Sequence, residues 1–105
     1  MRRGQVRWAA APGKRRPVVV LTRDSAVGYL TSLTVAPITT TIRRIPGEVT
    51  LGPEDGMPEA CVVSCDNILT LPKHAIGSVI TTLAPGKMEA IGRAVAFALG
   101  FDEWA

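Results

Sequence analysis

Along most of this chain, hydrophobic residues either alternate with polar ones or come in short β-branched runs. Residues 5–10 alternate as a half-buried strand does. Residues 18–22 are apolar on both faces, which is typical of a strand inside a sheet. The same signs predict further strands at 33–38, 48–51, 60–65, 68–71 and 76–82. Turn and loop signals separate the strands, at 11–13, 23–29 and 52–58.

The period of a helix is clear only near the C-terminal end. An apolar stripe at helical spacing is formed by Met88, Ile91, Val95, Ala98 and Leu99. Pro85 suits the first turn of this helix, and Gly100 suits the position just after its end. Short strands followed by one helix predict a mainly β (α+β) fold, namely a small barrel or curled sheet capped by the C-terminal α-helix. A length of 105 residues predicts one domain over residues 1–105.

Positive charge is concentrated in the N-terminal part of the chain. Of the 12 Lys and Arg residues, half precede Pro17, and the first acidic residue is Asp24. This asymmetry favours a polyanionic partner such as nucleic acid. The other interpretation is a solvated edge that keeps the protein in solution.

The sequence favours a cytoplasmic protein without a membrane partner. No apolar run approaches the ~20 residues that a membrane-spanning helix needs. Gln5 and Arg7 interrupt the apolar segment that a signal peptide would require.

The two cysteines predict neither a disulfide nor a metal site. Cys61 and Cys65 lie in one predicted strand, where their Cα atoms would be about 13 Å apart. A disulfide needs less than about 7 Å. A metal site built from these cysteines and His74 would have too few ligands at the wrong spacing. We therefore expect two small core residues and no metal or other cofactor.

Three adjacent cations, Lys14, Arg15 and Arg16, run directly into Pro17 and a β-branched strand. A stiff element holds guanidinium groups at a fixed place, which suits binding of a phosphate backbone.

The single histidine excludes a mechanism with paired histidines. RNA carries its own nucleophile, the 2′-hydroxyl, so an enzyme need only remove that proton, stabilise charge on the phosphate and protonate the 5′-oxygen. Arginine, threonine and an acid can share these roles.

Five segments carry a further pattern. They are RGQVRW at 3–8, RPVVVL at 16–21, VAPITT at 35–40, CVVSCDNILTL at 61–71 and the predicted helix at 83–100. In this order, and over nearly the whole chain, they resemble the MazF/PemK/Kid family of toxin ribonucleases of type II toxin–antitoxin modules.

This resemblance implies an SH3-like barrel that forms a homodimer. It implies metal-independent, sequence-specific cleavage of single-stranded RNA through the 2′-hydroxyl, which leaves a 2′,3′-cyclic phosphate and a 5′-hydroxyl. It also implies inhibition by a cognate MazE-like antitoxin with an acidic disordered tail.

The family's catalytic positions correspond to Arg16, Thr39 and Asp66 in this sequence. We expect Arg16 to neutralise the phosphate, Thr39 to donate a hydrogen bond to it, and Asp66 to accept the 2′-hydroxyl proton. The alternative for Asp66 is a cap on a local turn. Strand alternation would place it on the same face as Ser64. The residues expected to bind RNA are Lys14, Arg15, Thr40, Thr41, Arg43, Ser64 and Asn67.

Several of these side chains have structural alternatives. Thr40 and Thr41 are equally suited to a β-compatible loop, and Asn67 to a turn. Lys14 and Arg15 are expected in a short loop between the first two strands. Alternation with Val6 favours packing of Trp8 in the core over stacking on a base.

Two other functions remain open at this point. One is a CcdB-like protein that poisons gyrase by binding, and the other is an RNA-binding module without catalysis. Ser64 stands where some members of the family carry a catalytic Arg. The presence of Arg16 and Thr39 at the matching positions favours the nuclease.

Overall fold

Strands form wherever the sequence alternates or carries a β-branched run, and they join into one antiparallel sheet. The structure is a computed structural model that describes residues 1–11 and 14–104, so the turn predicted at Pro12 and Gly13 lies outside the described residues. The strands are β1 (Gln5–Ala11), β2 (Lys14–Val20), β3 (Ser32–Thr39), β4 (Glu48–Leu51), β5 (Cys61–Ser64), β6 (Leu69–Pro72) and β7 (Ile76–Thr82). The helices are α1 (Asp24–Val27) and α2 (Pro85–Leu99). Short 3₁₀ turns cover Pro53–Asp55, Cys65–Asn67, Lys73–Ala75 and Phe101–Trp104.

The strand order is β4-β5-β3-β2-β1-β7, and β6 also pairs with β3. Within the described residues the sheet is therefore open, with β4 and β7 at its ends, and it resembles a barrel only loosely. The prediction of a mainly β fold with a C-terminal helix is confirmed.

One edge of β3 is shared by two strands. β5 pairs with the C-terminal end of β3, and β6 pairs with its N-terminal half. Between these two pairings the register shifts by three residues, and the 3₁₀ turn Cys65–Asn67 accommodates the shift. The predicted strand at 60–65 therefore ends at Ser64. The sequence had suggested that Asp66 continues the alternation of that strand. It instead projects from the turn.

The sheet is buried on both faces, which explains why Val18, Val19 and Val20 are all buried. We call the larger cluster the helix-side core; it contains Val6, Val19, Ala36, Ile38, Val49, Leu51, Met57, Cys61, Val63, Cys65, Leu83, Ile91 and Ala94. The smaller one, the far-side core, contains Ala9, Val18, Val20, Val27, Leu33, Val35, Leu71 and Ile76. Consecutive strand residues enter opposite cores because strand side chains alternate.

Helix α2 covers the helix-side core through Ile91 and Ala94. Its ends are as predicted, since Pro85 is in the first turn and Gly100 ends the helix in the left-handed region at φ 77°. The predicted stripe is wrong at Leu99, which is 47% exposed. Leu99 lies about 80° around the helix from Ile91 at 3.6 residues per turn, so it points away from the sheet.

Both cysteines are free and buried, as the sequence predicts. Burial raises the pKa of Cys65 to about 11, and the neighbouring Asp66 carboxylate adds to the effect. These thiols therefore behave as small core side chains.

None of the helices in residues 1–11 and 14–104 is long and apolar enough to cross a membrane.

Two neighbouring positions of α2 test this packing. Ile91→Ala should lower the free energy of unfolding by about 2–5 kcal/mol, because it leaves a cavity in the helix-side core. Gly92→Ala should raise it by about 0.5–1 kcal/mol, because a new Cβ meets nothing within 4 Å and alanine favours a helix. Urea unfolding followed by circular dichroism measures both. Equal effects at the two positions would contradict this orientation of the helix.

Candidate functional site

The ribbon formed by β1 and β2 extends beyond the rest of the sheet. The pairs between β2 and β3 end at Val18 and Pro37, whereas those between β1 and β2 continue to Ala11 and Lys14. Lys14 and Arg15 are exposed, and Arg16 is half-buried. The sequence placed Lys14 and Arg15 in a loop, and the structure corrects this, since both belong to β2. Hydrogen bonding to β1 thus stiffens the backbone that carries the cations.

Strand alternation sends adjacent cations of this ribbon to opposite faces of the sheet. Arg15 lies on the helix-side face, where its Cζ atom is 4.9 Å from the centroid of the Trp8 ring. This distance allows a cation–π interaction. Arg16 pairs with Ala9, a residue of the far-side core. If the register of β2 and β3 is continued past Val18, Arg16 stands opposite Thr39 at the end of β3.

Two clefts flank this end of the sheet. The first, which we call the polar cleft, has a volume of about 310 Å³. It is lined by Arg16, Pro37, Thr39, Thr41, Arg43, Ile45, Glu48, Ser64, Asp66 and Asn67. It therefore contains the three predicted catalytic residues and four of the predicted RNA-binding residues.

The second cleft, which we call the apolar cleft, has a volume of about 280 Å³. It is lined by Trp8, Lys14, Arg15, Arg16, Pro17, Ile38, Thr39, Thr40, Met57, Pro58, Glu59 and Cys61. The remaining predicted residues, Lys14, Arg15 and Thr40, are found here. Arg16 and Thr39 line both clefts and so form the wall between them.

Thr39 ends β3 and is held by its own loop. Its Oγ1 atom accepts a hydrogen bond of 3.1 Å from the backbone N–H of Thr41. Because this bond uses the oxygen as an acceptor, the hydroxyl proton of Thr39 stays available for donation to a ligand.

Asn67 donates from Nδ2 to Oγ of Ser64 over 2.7 Å. The bond ties Asn67 to the end of β5 across the 3₁₀ turn. It supports the interpretation of Asn67 as a turn residue, which the sequence left open.

Asp66 is exposed at the side of the polar cleft and packs against Gly47. A Cβ atom added to Gly47 would come within 2.6 Å of the Asp66 Cγ atom, so the carboxylate occupies space that only glycine leaves free. The backbone N–H of Cys65 donates to the carbonyl of Gly47 over 2.9 Å and holds the two segments together. Among the described residues no hydrogen bond reaches the Asp66 carboxylate. The structure therefore favours a free carboxylate over a cap.

Glu48 organises the loop that carries Arg43. Its Oε1 atom accepts hydrogen bonds of 3.0 Å from the backbone N–H groups of both Arg43 and Arg44. Arg44 has a φ of 58°, in the left-handed region that non-glycine residues rarely adopt. The sequence does not point to Glu48, because an acid at the start of a short strand gives no sign that a loop folds back onto it.

Alternation with Val6 had suggested that Trp8 packs in the core. The structure shows that it does not. It is half-buried and forms part of the apolar cleft. The reason is position along the strand, because Trp8 pairs with Pro17 near the point where the ribbon leaves the sheet. Glu59 in the same cleft was also missed, since it lies in an irregular segment before β5.

The arrangement combines a cation carried by a strand, a hydroxyl donor and a free carboxylate in the polar cleft. Arg16 and Arg43 attract an anion, Thr39 can donate to one of its oxygens, and Asp66 can accept a proton. Among the residues that the structure describes, no group of three or more His, Cys, Asp or Glu side chains could hold a metal ion.

A substitution tests the role of Glu48 in ordering the loop. Glu48→Ala should speed amide hydrogen exchange at Arg43 and Arg44 by roughly tenfold or more, because the two lost hydrogen bonds together are worth about 2 kcal/mol. Glu48→Gln keeps an acceptor oxygen and should change the exchange much less. Exchange measured by mass spectrometry resolves the segment. Fast exchange already present in the parent protein would contradict a loop held by Glu48.

The family model of the PemK-like, MazF-like toxins of type II toxin–antitoxin systems matches residues 2–99. The chain is 43% identical over 89 residues to the probable endoribonuclease MazF2 of Mycobacterium tuberculosis, which covers 84% of this chain and 87% of that protein.

Solved structures agree with the family model. The Mycobacterium tuberculosis toxin MazF-mt6 superposes with a TM-score of 0.86 at 38% identity, covering 91% of this chain and 96% of that one. An endoribonuclease from a mycobacterial species, solved in complex with its cognate antitoxin, gives a TM-score of 0.88 at 31% identity and covers 95% of both chains. The chain thus belongs to the family of PemK-like, MazF-like toxins of type II toxin–antitoxin systems.

Proposed function

We propose that this protein is an endoribonuclease toxin that cuts single-stranded RNA at short sequences without a metal ion. The observation that carries the proposal is the meeting of Arg16, Thr39 and Asp66 in one cleft. These residues come from β2, from the end of β3 and from the turn after β5. Relatives named as endoribonucleases support the same enzyme class.

The reaction begins with the RNA's own 2′-hydroxyl. Its oxygen attacks the adjacent phosphorus and loses its proton to a base, and the bond from phosphorus to the 5′-oxygen breaks. A proton then goes to the departing 5′-oxygen. The products are a 2′,3′-cyclic phosphate and a 5′-hydroxyl, and DNA is left intact because it lacks the nucleophile.

Three residues of the polar cleft have a role in this scheme. Arg16 binds the non-bridging oxygens and offsets the charge that develops on them, since a guanidinium stays protonated at any ordinary pH. Thr39 donates its free hydroxyl proton to one of these oxygens. Asp66, whose carboxylate has no hydrogen-bond partner among the described residues, accepts the 2′-hydroxyl proton.

The surrounding cations hold the RNA chain. Lys14 and Arg15 lie on the projecting ribbon, and Arg43 lies on the loop ordered by Glu48. They attract the phosphates on either side of the cut. Thr40, Thr41, Ser64 and Asn67 supply further hydrogen-bonding groups along the two clefts.

We further propose that a MazE-like antitoxin inhibits this chain. The support is the family membership and the relative solved with its cognate antitoxin. An acidic disordered tail would be attracted to the cations of the ribbon and would compete with RNA for them. We expect the protein to act in the cytoplasm as a homodimer.

The first test is cleavage in the absence of divalent metal. Pure protein in EDTA should cut a single-stranded RNA and leave a matched DNA whole, because only RNA carries the 2′-nucleophile. Mass spectrometry of the fragments should show a 2′,3′-cyclic phosphate and a 5′-hydroxyl. Intact RNA would favour a binding protein such as a gyrase poison, and equal cutting of DNA would contradict the mechanism.

Single substitutions test the assignment of roles. Arg16→Ala and Thr39→Ala should each reduce the cleavage rate by roughly 10²–10³-fold, as loss of a donor to a developing oxyanion does. Asp66→Asn should cost roughly 10²–10⁴-fold, as loss of a general base does. Single-turnover assays measure these rates, and circular dichroism checks the fold. Arg93→Ala, a loss of charge on the exposed surface of α2, should change little. Full activity in the site variants would move the site elsewhere.

A further inference from the structure

The apolar cleft has the chemistry of a site for a flat, partly polar ligand. Its surface includes the hydrophobic side chains Pro17, Ile38, Met57 and Pro58. Its volume of about 280 Å³ is close to the ~300 Å³ lower limit of small-ligand pockets. An unstacked base of a single-stranded RNA is such a ligand, since proteins bind unstacked bases between apolar or planar groups and read their polar edges.

The position of this cleft relates it to the polar cleft. Arg16 and Thr39 form the wall between the two. A phosphate bound to Arg16 and Thr39 in the polar cleft therefore has the apolar cleft immediately on the other side. The base of a nucleotide next to that phosphate can enter it without displacing the residues proposed for catalysis.

The pair of Arg15 and Trp8 provides a planar surface in this cleft. The guanidinium of Arg15 lies over the Trp8 ring at 4.9 Å from its centroid. Trp8 is half-buried, Arg15 is exposed, and both line the cleft. Bases stack on guanidinium planes as they do on aromatic rings. Because Trp8 already orders Arg15, less side-chain freedom is lost when a base binds.

A carboxylate such as that of Glu59 is not expected in a cleft that binds only phosphates. Glu59 lines the same cleft as Lys14, Arg15 and Arg16, where a carboxylate would repel an RNA backbone. An ionised carboxylate accepts hydrogen bonds and cannot donate them. The edge of a base that suits it therefore carries N–H groups.

We infer that the apolar cleft holds a base adjacent to the scissile phosphate, and that Glu59 selects a base with an amino group over uracil. The inference rests on the proposed function and specifies the substrate. Guanine, cytosine and adenine each present an amino group on the pairing edge. Uracil offers one N–H between two carbonyl oxygens, and both oxygens would face the carboxylate. Glu59 is thus a specificity residue, whereas Arg16, Thr39 and Asp66 act on the phosphate.

Sequencing of cleavage ends tests the inference. The parent protein is incubated with a pool of random single-stranded RNA, and the bases beside each cut are counted. We expect uracil to be depleted at one position next to the cut. Glu59→Gln should raise the uracil frequency there by roughly tenfold, as loss of one good base contact does. Glutamine keeps the size of the side chain but adds an NH₂ group, which can donate a hydrogen bond to a uracil carbonyl.

Glu89→Gln is the matched control. Glu89 is exposed on α2 and lines neither cleft. Glu89→Gln removes the same negative charge as Glu59→Gln. A general gain in RNA affinity from the lost charge should therefore appear in both variants, whereas the change in base preference should appear only in Glu59→Gln. Unchanged preference at every position around the cut in Glu59→Gln would overturn the inference.

A binding assay separates this inference from the proposed function. Short RNAs with 2′-O-methyl groups lack the free nucleophile, so they report binding alone. The parent protein should bind an oligomer with guanine at the selected position roughly tenfold more tightly than one with uracil, and Glu59→Gln should lose that difference. If natural RNA is not cleaved, the selected position is not known from cleavage. The binding assay then uses a set of 2′-O-methyl oligomers that carries each base at every position in turn. A difference that depends on Glu59 then supports the base site and contradicts the nuclease, whereas equal binding of all oligomers overturns the base site.

Discussion

The site depends on how β3 divides one of its edges between two partners. β5 pairs with the end of β3 and β6 with its beginning, and the two pairings differ by three residues of register. The extra residues leave the sheet as the turn Cys65–Asn67. This turn carries Asp66 to the same cleft as Thr39. A continuous strand would have kept residue 66 in the ladder, so the irregularity of the sheet is what brings a carboxylate near the residues that we propose to bind phosphate.

The second constraint is the overhang of the ribbon formed by β1 and β2. Beyond the last pair of β2 with β3, the ribbon continues with its cations already in strand geometry. Alternation then assigns Arg15 to the side of the apolar cleft and Arg16 to the wall shared with the polar cleft. One run of charge thus serves two purposes, because adjacent residues of a strand face opposite ways. Glycine contributes at one point, where Gly47 leaves room for the Asp66 carboxylate.

Much of the fold could be predicted because it follows local rules. The β-branched run at Val18–Val20 favours a strand buried on both faces, and Pro85 and Gly100 bound α2 by their backbone preferences. The placement of Arg16 and Thr39 in one cleft agrees with the expectation from the residues and the family resemblance. Where the prediction failed, a distant partner decided the outcome. Leu99 belongs to the apolar pattern of α2, yet it is exposed because the sheet contacts the face that contains Ile91.

The sequence by itself determined the strands, the C-terminal helix, the free cysteines and the side chains that we propose to act on phosphate. These properties follow from hydrophobic period, proline and glycine geometry and the chemistry of single side chains, all of which are local. The tertiary structure decided that Lys14 and Arg15 extend a strand, that Trp8 forms part of a cleft, and that Glu48 and Glu59 each line one of the two clefts. Sequence spacing could not show these, because strand register and loop closure depend on contacts between residues that are far apart in the chain.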